Sequence, residues 1–125
     1  MLKAEMEFLK EGGHVGDCVR ACTASIIGAD RADVPHFVRE HQGDWRHPWE
    51  DWLDDRGFVV VEADPRIRPE CDYLACGPTV RPGGDHPAAH MVVMNGISVA
   101  HDPHPSRAGI VTVDRVYLIV PKTLT

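Results

Sequence analysis

The sequence predicts an α+β domain in which short N-terminal helices pack on a C-terminal antiparallel sheet. In the first half of the 125-residue chain, apolar residues recur at three- and four-residue spacing between capping residues and glycines, as in amphipathic helices. From Phe58 onward, β-branched runs alternate with turn residues, as in strands joined by hairpins. With no internal repeat and no linker, residues 1–125 are predicted to form one domain, long enough to bury its own core.

Two short helices are predicted before residue 44. Residues 16–28, "GDCVRACTASIIG", begin with Asp17, a favourable N-cap, and end at Gly28, a residue type that commonly follows a helix. Residues 32–43, "ADVPHFVREHQG", have Asp33 as a cap and a proline in the first turn.

A third helix is predicted in "HPWEDWLDDRG", residues 47–57, with Pro48 at its first position. Trp49, Trp52 and Leu53 follow at i, i+3 and i+4 and form one apolar stripe. This spacing favours a role in the core for the tryptophans over a role in a ligand site.

The second half predicts strands and two loops. The residues from Gly77 to Pro87 are rich in glycine and proline and are expected to form a loop over a cleft, and the last three strands are expected to form a meander. The predicted strands are "FVVVE" (58–62), Tyr73–Cys76, "HMVVM" (90–94), "ISVAHD" (97–102) and "IVTVDRVYLIV" (110–120).

Composition disfavours two classes of partner. The net charge is −6 and the basic residues form no cluster, which argues against a nucleic-acid partner because phosphate neutralisation supplies much of that affinity. No apolar run approaches the roughly 18 residues of a membrane helix. Glu5 and Glu7 interrupt the N-terminus where a secretory signal needs an apolar core, so a cytoplasmic protein is expected.

The two thiols of the first predicted helix, Cys18 and Cys22, are expected to differ in role. Cys18 stands at the first helical position, where unpaired backbone N–H groups and the helix dipole favour the nucleophilic thiolate. Cys22 lies one turn deeper on the same face, where a small thiol commonly packs against a core. A disulfide between them would distort that turn, and a reducing compartment disfavours one.

Zinc binding is the second alternative for the cysteines. Its ligands would come from Cys18, Cys22 and His14, or from Cys71 and Cys76 with the histidines of "HDPH". Neither C-x₃-C nor C-x₄-C matches the paired short spacings of structural zinc sites. The prediction is therefore no metal and no other cofactor.

A nucleophilic thiol needs a base, and that base needs an acceptor that orients it. His90 opens the strand "HMVVM" and Asp102 ends the next strand, so both are candidates for these roles. The alternative for His90 is an ordinary histidine at a strand edge. For Asp102 a turn-forming role before Pro103 carries equal weight.

These motifs resemble the compact branch of the papain-like cysteine peptidase superfamily, which includes bacteriocin-leader-processing peptidases and NlpC-type amidases. "GDCVRACTASIIG", "HMVVM" and "HDPHPS" are similar to segments of small bacterial and phage proteins of that branch and cover about a third of the chain. The resemblance implies a Cys-bearing helix packed on the sheet and hydrolysis of an amide in a peptide or protein substrate. It implies Cys18 as nucleophile, His90 as general base and acid, and Asp102 as the orienting group.

The chain departs from that family at the oxyanion hole. Many relatives carry a Gln about six residues before the nucleophile, where this chain has Gly12. The backbone N–H of Cys18 and the side chain of His14 are candidate substitutes, and a binding module without catalysis is the alternative that this absence leaves open. The other candidate oxyanion or substrate-binding residues are Asp17, which is also the expected N-cap, and Arg81, His104 and Arg107, for which surface roles are the alternative.

The His90–Asp102 pairing sets a condition on the hairpin. If Asn95 and Gly96 were the two central residues of a tight turn, His90 would face His101, and Asp102 would point to the opposite side of the sheet. An odd-length turn or a β-bulge would restore the pairing. The sequence therefore predicts one of these irregularities.

Overall fold

The computed structural model describes residues 3–6, 17–41, 44–79 and 88–122. These residues form an α+β structure with three α-helices, a one-turn 3₁₀ helix at Arg31–Asp33 and a five-stranded antiparallel sheet. The helices are α1 (Cys18–Ile27), α2 (Phe37–His41) and α3 (Arg46–Asp55). The strands are β1 (Phe58–Ala63), β2 (Asp72–Thr79), β3 (Ala88–Asn95), β4 (Ser98–His101) and β5 (Arg115–Pro121). In these ranges no helix has the length and apolar character needed to cross a bilayer.

The strand order is β1-β5-β2-β3-β4, so the predicted meander is wrong for its last strand. β5 does not follow β4 at the sheet edge but lies between β1 and β2. The physical reason is apolar surface on both faces of β5, where Val116 and Tyr117 are both buried. A strand with both faces buried is stabilised at the centre of a sheet.

The sheet separates two apolar clusters. Alternate residues of β2 and β3 point to opposite faces, so neighbouring residues join different clusters. The helix-side cluster contains Val19, Cys22, Ala24, Val34, Phe37, Trp49, Leu53, Leu74, Met91, Val93 and Tyr117. The cluster on the other face contains Tyr73, Ala75, Val92, Met94 and Val116, with Ile110 and Val113 packed against it.

Two residues of the predicted apolar stripe belong to the core, as predicted, whereas the third, Trp52, is partly buried and packs against it. Trp49 and Leu53 are fully buried, and the Trp49 ring packs edge-on against Tyr117 at 5.4 Å between centroids. The indole N–H of Trp49 donates to Thr23 Oγ1 at 3.0 Å. This hydrogen bond fixes α3 against α1 and satisfies the one polar atom of a buried indole.

The second predicted helix is wrong in its extent. Instead of one helix over residues 32–43, a 3₁₀ turn capped by Asp30, rather than Asp33, is followed by the short α2. The break falls at Val34, which is extended at φ −102° and ψ 125°. Pro35 explains this conformation, because a residue that precedes proline is excluded from the helical region.

The boundaries of two other elements also differ from prediction. α3 begins at Arg46, so Pro48 is its third residue and not its first. β2 continues through Gly77 and Pro78, which were expected to begin a loop, whereas residues 110–114 precede β5 instead of forming part of it.

Gly77 allows the segment before β5 to lie against β2. A Cβ at Gly77 would stand 1.8 Å from the carbonyl oxygen of Thr112, so only glycine fits there. Val111 N donates to Pro78 O at 2.7 Å, and Asp114 N donates to Cys76 O at 2.8 Å. These backbone bonds extend the pairing of β2 beyond β5 and satisfy polar groups near the candidate site.

Candidate active site

Cys18 is the first residue of α1 and is partly buried at the edge of the helix-side cluster. Asp17 occupies the N-cap position, but its side chain makes no capping hydrogen bond to α1, contrary to the prediction. The carboxylate is buried and lies 3.7 Å from Arg20 Nη1. The Nε of Arg20 donates to the carbonyl oxygens of Arg31 and Val34. Arg20 therefore links the start of α1, where Asp17 lies, to the 3₁₀ turn and Val34.

Cys22 packs in the core, as predicted. It is fully buried and its thiol donates to the carbonyl oxygen of Met91 at 3.3 Å, while burial raises its pKa well above the ordinary value. Burial likewise raises the pKa of Cys76 to about 12, with a smaller contribution from Cys18. All four cysteines are free thiols, so Cys18 and Cys22 form no disulfide.

The hairpin between β3 and β4 contains the predicted bulge. Asn95 pairs with Ser98 and Met94 with Val99, but Val93 pairs with His101, so Ala100 is an extra residue. The turn itself is a two-residue turn at Gly96 and Ile97, one position later than the sequence pattern suggests, and Gly96 has φ 57°. The bulge shifts the alternation of side chains along β4 by one residue, so that His90 and Asp102 share a face of the sheet.

His90 and Asp102 form a buried pair. His90 Nε2 lies 2.7 Å from Asp102 Oδ1, and the two side chains are 1% and 2% exposed. Burial alone would lower the pKa of His90, but hydrogen bonds to Asp102 and to the Cys18 thiol raise it to about 9. The imidazole thus joins the cysteine of α1 to the carboxylate that follows β4. With Nε2 directed to Asp102, Nδ1 is the ring nitrogen that remains for the thiol.

Asp102 accepts two further hydrogen bonds. Its Oδ1 also accepts from the backbone N–H of His104 at 2.9 Å, and its Oδ2 accepts from that of Gly109 at 2.7 Å. Burial alone would raise the pKa of this carboxyl, but the hydrogen bonds from His90, His104 and Gly109 lower it to about 2. The bond to the residue two positions on is an Asx turn. The turn-forming alternative and the contact with His90 therefore coexist in one side chain.

His104, a candidate substrate-binding residue, lies beside the pair. Its ring is nearly perpendicular to that of His90, with 6.2 Å between centroids. The backbone N–H of Ser106 donates to His104 Nδ1 at 3.0 Å, so this nitrogen acts as an acceptor. The local bond fixes the orientation of the ring next to His90.

The other candidates divide into two groups. His14 and Arg81, together with Gly12 at the family's Gln position, lie outside the described residues. Arg107 is described: its guanidinium lies on the Glu5 carboxylate at 2.7 Å, and both residues line a cavity next to Asp102. Within the described residues, no group of three or more His, Cys, Asp or Glu side chains is arranged to hold a metal ion.

The sequence did not indicate Glu5, Gly109 or the backbone of His104 as parts of this environment. The "DPH" order offers a signal for His104, because an Asp often accepts from the N–H two residues later. Glu5 is 102 positions from Arg107 in the chain, and no local pattern links them. Gly109 has φ 71°, a conformation suited to glycine, but its contact with Asp102 depends on the path of the whole loop.

A thiol at a helix N-terminus, an imidazole and a buried carboxylate are the groups that nucleophilic attack with proton transfer uses. Compared with known proteins, the chain matches no family model, no curated protein and no solved structure.

Proposed function

We propose that the protein is a thiol hydrolase that cleaves an amide through Cys18, His90 and Asp102, on a scaffold of the papain-like type. The observation that carries this proposal is the position of the His90 imidazole, which contacts the Cys18 thiol and the Asp102 carboxylate at once. The chain order Cys, His, Asp and the packing of α1 against β3 support the papain-like assignment.

The proposed reaction has two steps. In the proposed resting pair near neutral pH, His90, with its pKa raised to about 9, already holds the proton that the Cys18 thiol gives up, and the sulfur attacks the amide carbon to form a C–S bond. The C–N bond then breaks, and the amine leaves with a proton from His90. In the second step, water attacks the thioester and gives a proton to His90, the C–S bond breaks to release the acid, and His90 keeps that proton beside the departing sulfur, which restores the resting pair. Asp102 holds the ring and stabilises its charged form.

The oxyanion that forms in each step needs hydrogen-bond donors. Cys18 begins α1, so its backbone N–H is one of the four without an acceptor inside the helix, and it lies next to the attacking sulfur. His14 is the candidate second donor. Without the Gln of the family, activity is expected to be lower by on the order of 10²–10³ if nothing replaces that donor.

The substrate class we propose is a peptide or protein in the cytoplasm. The net charge of −6 disfavours a nucleic-acid partner, and the proposed chemistry uses groups of the chain itself, without a metal or organic cofactor.

Alkylation kinetics test the reactivity of the proposed nucleophile. Iodoacetamide near pH 7, followed by peptide mass spectrometry, measures each thiol in the same sample. We expect Cys18 to react faster than the exposed Cys71, because the neighbouring His90 imidazole activates the sulfur as a nucleophile. H90A is expected to remove that difference, whereas Cys71→Ser should leave the rate at Cys18 unchanged. Equal, slow labelling of both thiols would contradict the proposal.

Covalent capture of a substrate mimic tests the step in which the sulfur of Cys18 attacks a carbonyl carbon. A peptide library with an electrophilic carbonyl should add covalently to Cys18 in the wild-type chain and not in Cys18→Ala, as measured by intact mass. This experiment also bears on the second candidate, a binding module on the same scaffold, which the nearly complete burial of His90 and Asp102 favours. Such a module would bind a peptide without forming an adduct. Metal analysis of the purified protein tests the zinc alternative.

A further inference from the structure

The N-terminal segment, residues 3–6, lies between the helix that carries Cys18 and the loop that carries Asp102. On the helical side, the backbone N–H of Ala4 donates to Ser25 Oγ of α1 at 2.9 Å. Arg31 Nη1, in the 3₁₀ turn after α1, donates to the carbonyl oxygen of Glu5 at 2.8 Å. One short stretch is thus fixed to α1 and to the turn that follows it.

The same segment is fixed to β4 and the loop after it. His101 Nε2 donates to the carbonyl oxygen of Ala4 at 2.7 Å, since a carbonyl can only accept. The backbone N–H of Met6 donates to Pro103 O at 3.1 Å. These bonds lie on either side of Asp102 in sequence, so the segment holds both ends of the turn that contains this carboxylate.

Arg107 connects the N-terminal segment to the turn at residues 102–104. Its guanidinium contacts the Glu5 carboxylate through both terminal nitrogens, and Nη1 also donates to the backbone carbonyls of Asp102 and His104. Arg107 has φ 52°, a conformation that costs energy for any residue with a Cβ. The contacts of its guanidinium offset this cost.

The geometry points to Glu5 and Arg107 as positioning residues that hold Asp102 against His90. This inference rests on the proposed function. Glu5 anchors the guanidinium, the guanidinium binds the two carbonyls of the 102–104 turn, and that turn presents the carboxylate to the imidazole. The N-terminal segment therefore sets the reactivity of Cys18 without touching the thiol.

A positioning role and a purely structural role predict different effects of mutation. Glu5 and Arg107 are about half exposed, with side-chain exposures of 46% and 49%, and such ion pairs contribute little to global stability. Loss of the pair should therefore change the melting temperature little. A small displacement of a reacting group, in contrast, reduces a rate strongly.

The test compares E5Q and R107Q with D54N, a matched control that breaks the long-range surface pair of Asp54 with Lys122. We expect E5Q and R107Q to slow iodoacetamide labelling of Cys18 on the order of tenfold or more. The downfield proton NMR signal of the His90–Asp102 hydrogen bond should broaden or disappear. The labelling rate of Cys18 in R107K should fall between the rates in the wild type and in R107Q, because an ammonium keeps the charge but lacks the planar fork of the guanidinium. D54N should match the wild type in both measurements.

High salt provides a second test that requires no mutation. A salt concentration of about 1 M screens a half-exposed ion pair, so it should slow labelling of Cys18 in the wild type and have a smaller effect in E5Q. The inference is overturned if E5Q and R107Q behave like D54N while H90A still slows labelling. If H90A has no effect either, the proposed function itself fails, and the two failures are thus distinguished.

Discussion

His90 Nε2 and Asp102 Oδ1 lie 2.7 Å apart, and one extra residue in the hairpin between them makes this contact possible. Continued without the bulge, the pairing of Asn95 with Ser98 would bring Asp102 opposite Met91. Asp102 would then share the face of Met91, and His90 would point to the other side of the sheet. The extra residue Ala100, whose side chain is a methyl group, therefore determines that His90 and Asp102 are in contact.

Deletion of Ala100 tests this relationship. We expect the deletion to restore regular pairing and separate His90 from Asp102, so the pKa of His90 should fall from about 9 towards the ordinary value of 6.5. NMR titration of the imidazole measures the shift. Ala100→Gly keeps the number of residues and should leave the pKa near that of the wild type. An unchanged pKa in the deletion variant would show that the bulge does not set the contact.

Asp102→Asn should lower both the pKa of His90 and the reactivity of Cys18. Asn has nearly the shape of Asp but no charge, so it favours the imidazolium less. The pKa should move below about 9, and the labelling rate of Cys18 near pH 7 should drop on the order of 10²-fold. NMR titration and labelling kinetics measure the two effects. Asp55→Asn, an exposed substitution at the end of α3, is the control and should change neither.

The stability that the His90–Asp102 pair provides should depend on pH in a defined window. The pKa of His90 is raised from 6.5 to about 9, so its contribution is complete below 6.5 and is lost as the pH rises through 9. The pKa of Asp102 is lowered from 3.8 to about 2, so its contribution is complete above 3.8 and is lost as the pH falls through 2. The loss of unfolding free energy in Asp102→Asn should thus be largest between these limits.

Urea unfolding at several pH values measures this difference. A hydrogen bond between charged groups contributes about 1.5–3 kcal/mol, which is the expected gap between wild type and variant near pH 5. The difference in unfolding free energy between wild type and variant should be smaller by about pH 10, because His90 in the folded protein loses its proton as the pH rises through about 9. A gap that stays constant across this range would contradict the linkage.

Thr23→Val should destabilise the packing of α3 on α1. The valine has nearly the same volume but leaves the buried indole N–H of Trp49 without the acceptor that it uses at 3.0 Å. An unsatisfied buried donor costs about 1–3 kcal/mol. Thermal unfolding monitored by tryptophan fluorescence measures the loss. Thr23→Ser keeps the hydroxyl and should lose clearly less stability, so equal losses in both variants would assign the effect to the methyl group.

The sequence predicts the elements that depend on local patterns. Asp17 and Gly28 mark the limits of α1, and the spacing of Trp49 and Leu53 identifies a buried helix face, because each pattern acts within a few residues. The need for a bulge follows from the alternation of side chains along the strands, so the sequence predicts that some irregularity occurs. Its location at Ala100 does not follow from that argument.

Long-range contacts are what the sequence does not reveal. The partner of Arg107 is Glu5, at the other end of the chain, and the position of β5 depends on competition among several apolar strands. The carboxylate of Asp17 has the residue type of a helix cap but lies near Arg20, whose Nε is held by the carbonyls of Arg31 and Val34. Each of these outcomes depends on groups that only the folded chain brings together.

The central place of β5 has a consequence for how this protein is made. During translation, β1 and β2 emerge from the ribosome before β5, so until β5 follows, β1 has no neighbour in the sheet and β2 has only β3. Pairings between such distant parts of a chain form slowly because the loops that they close are long. A nascent chain that has not yet reached Arg115 therefore lacks the strand that joins β1 to β2, and we expect it to be more susceptible to proteolysis during synthesis.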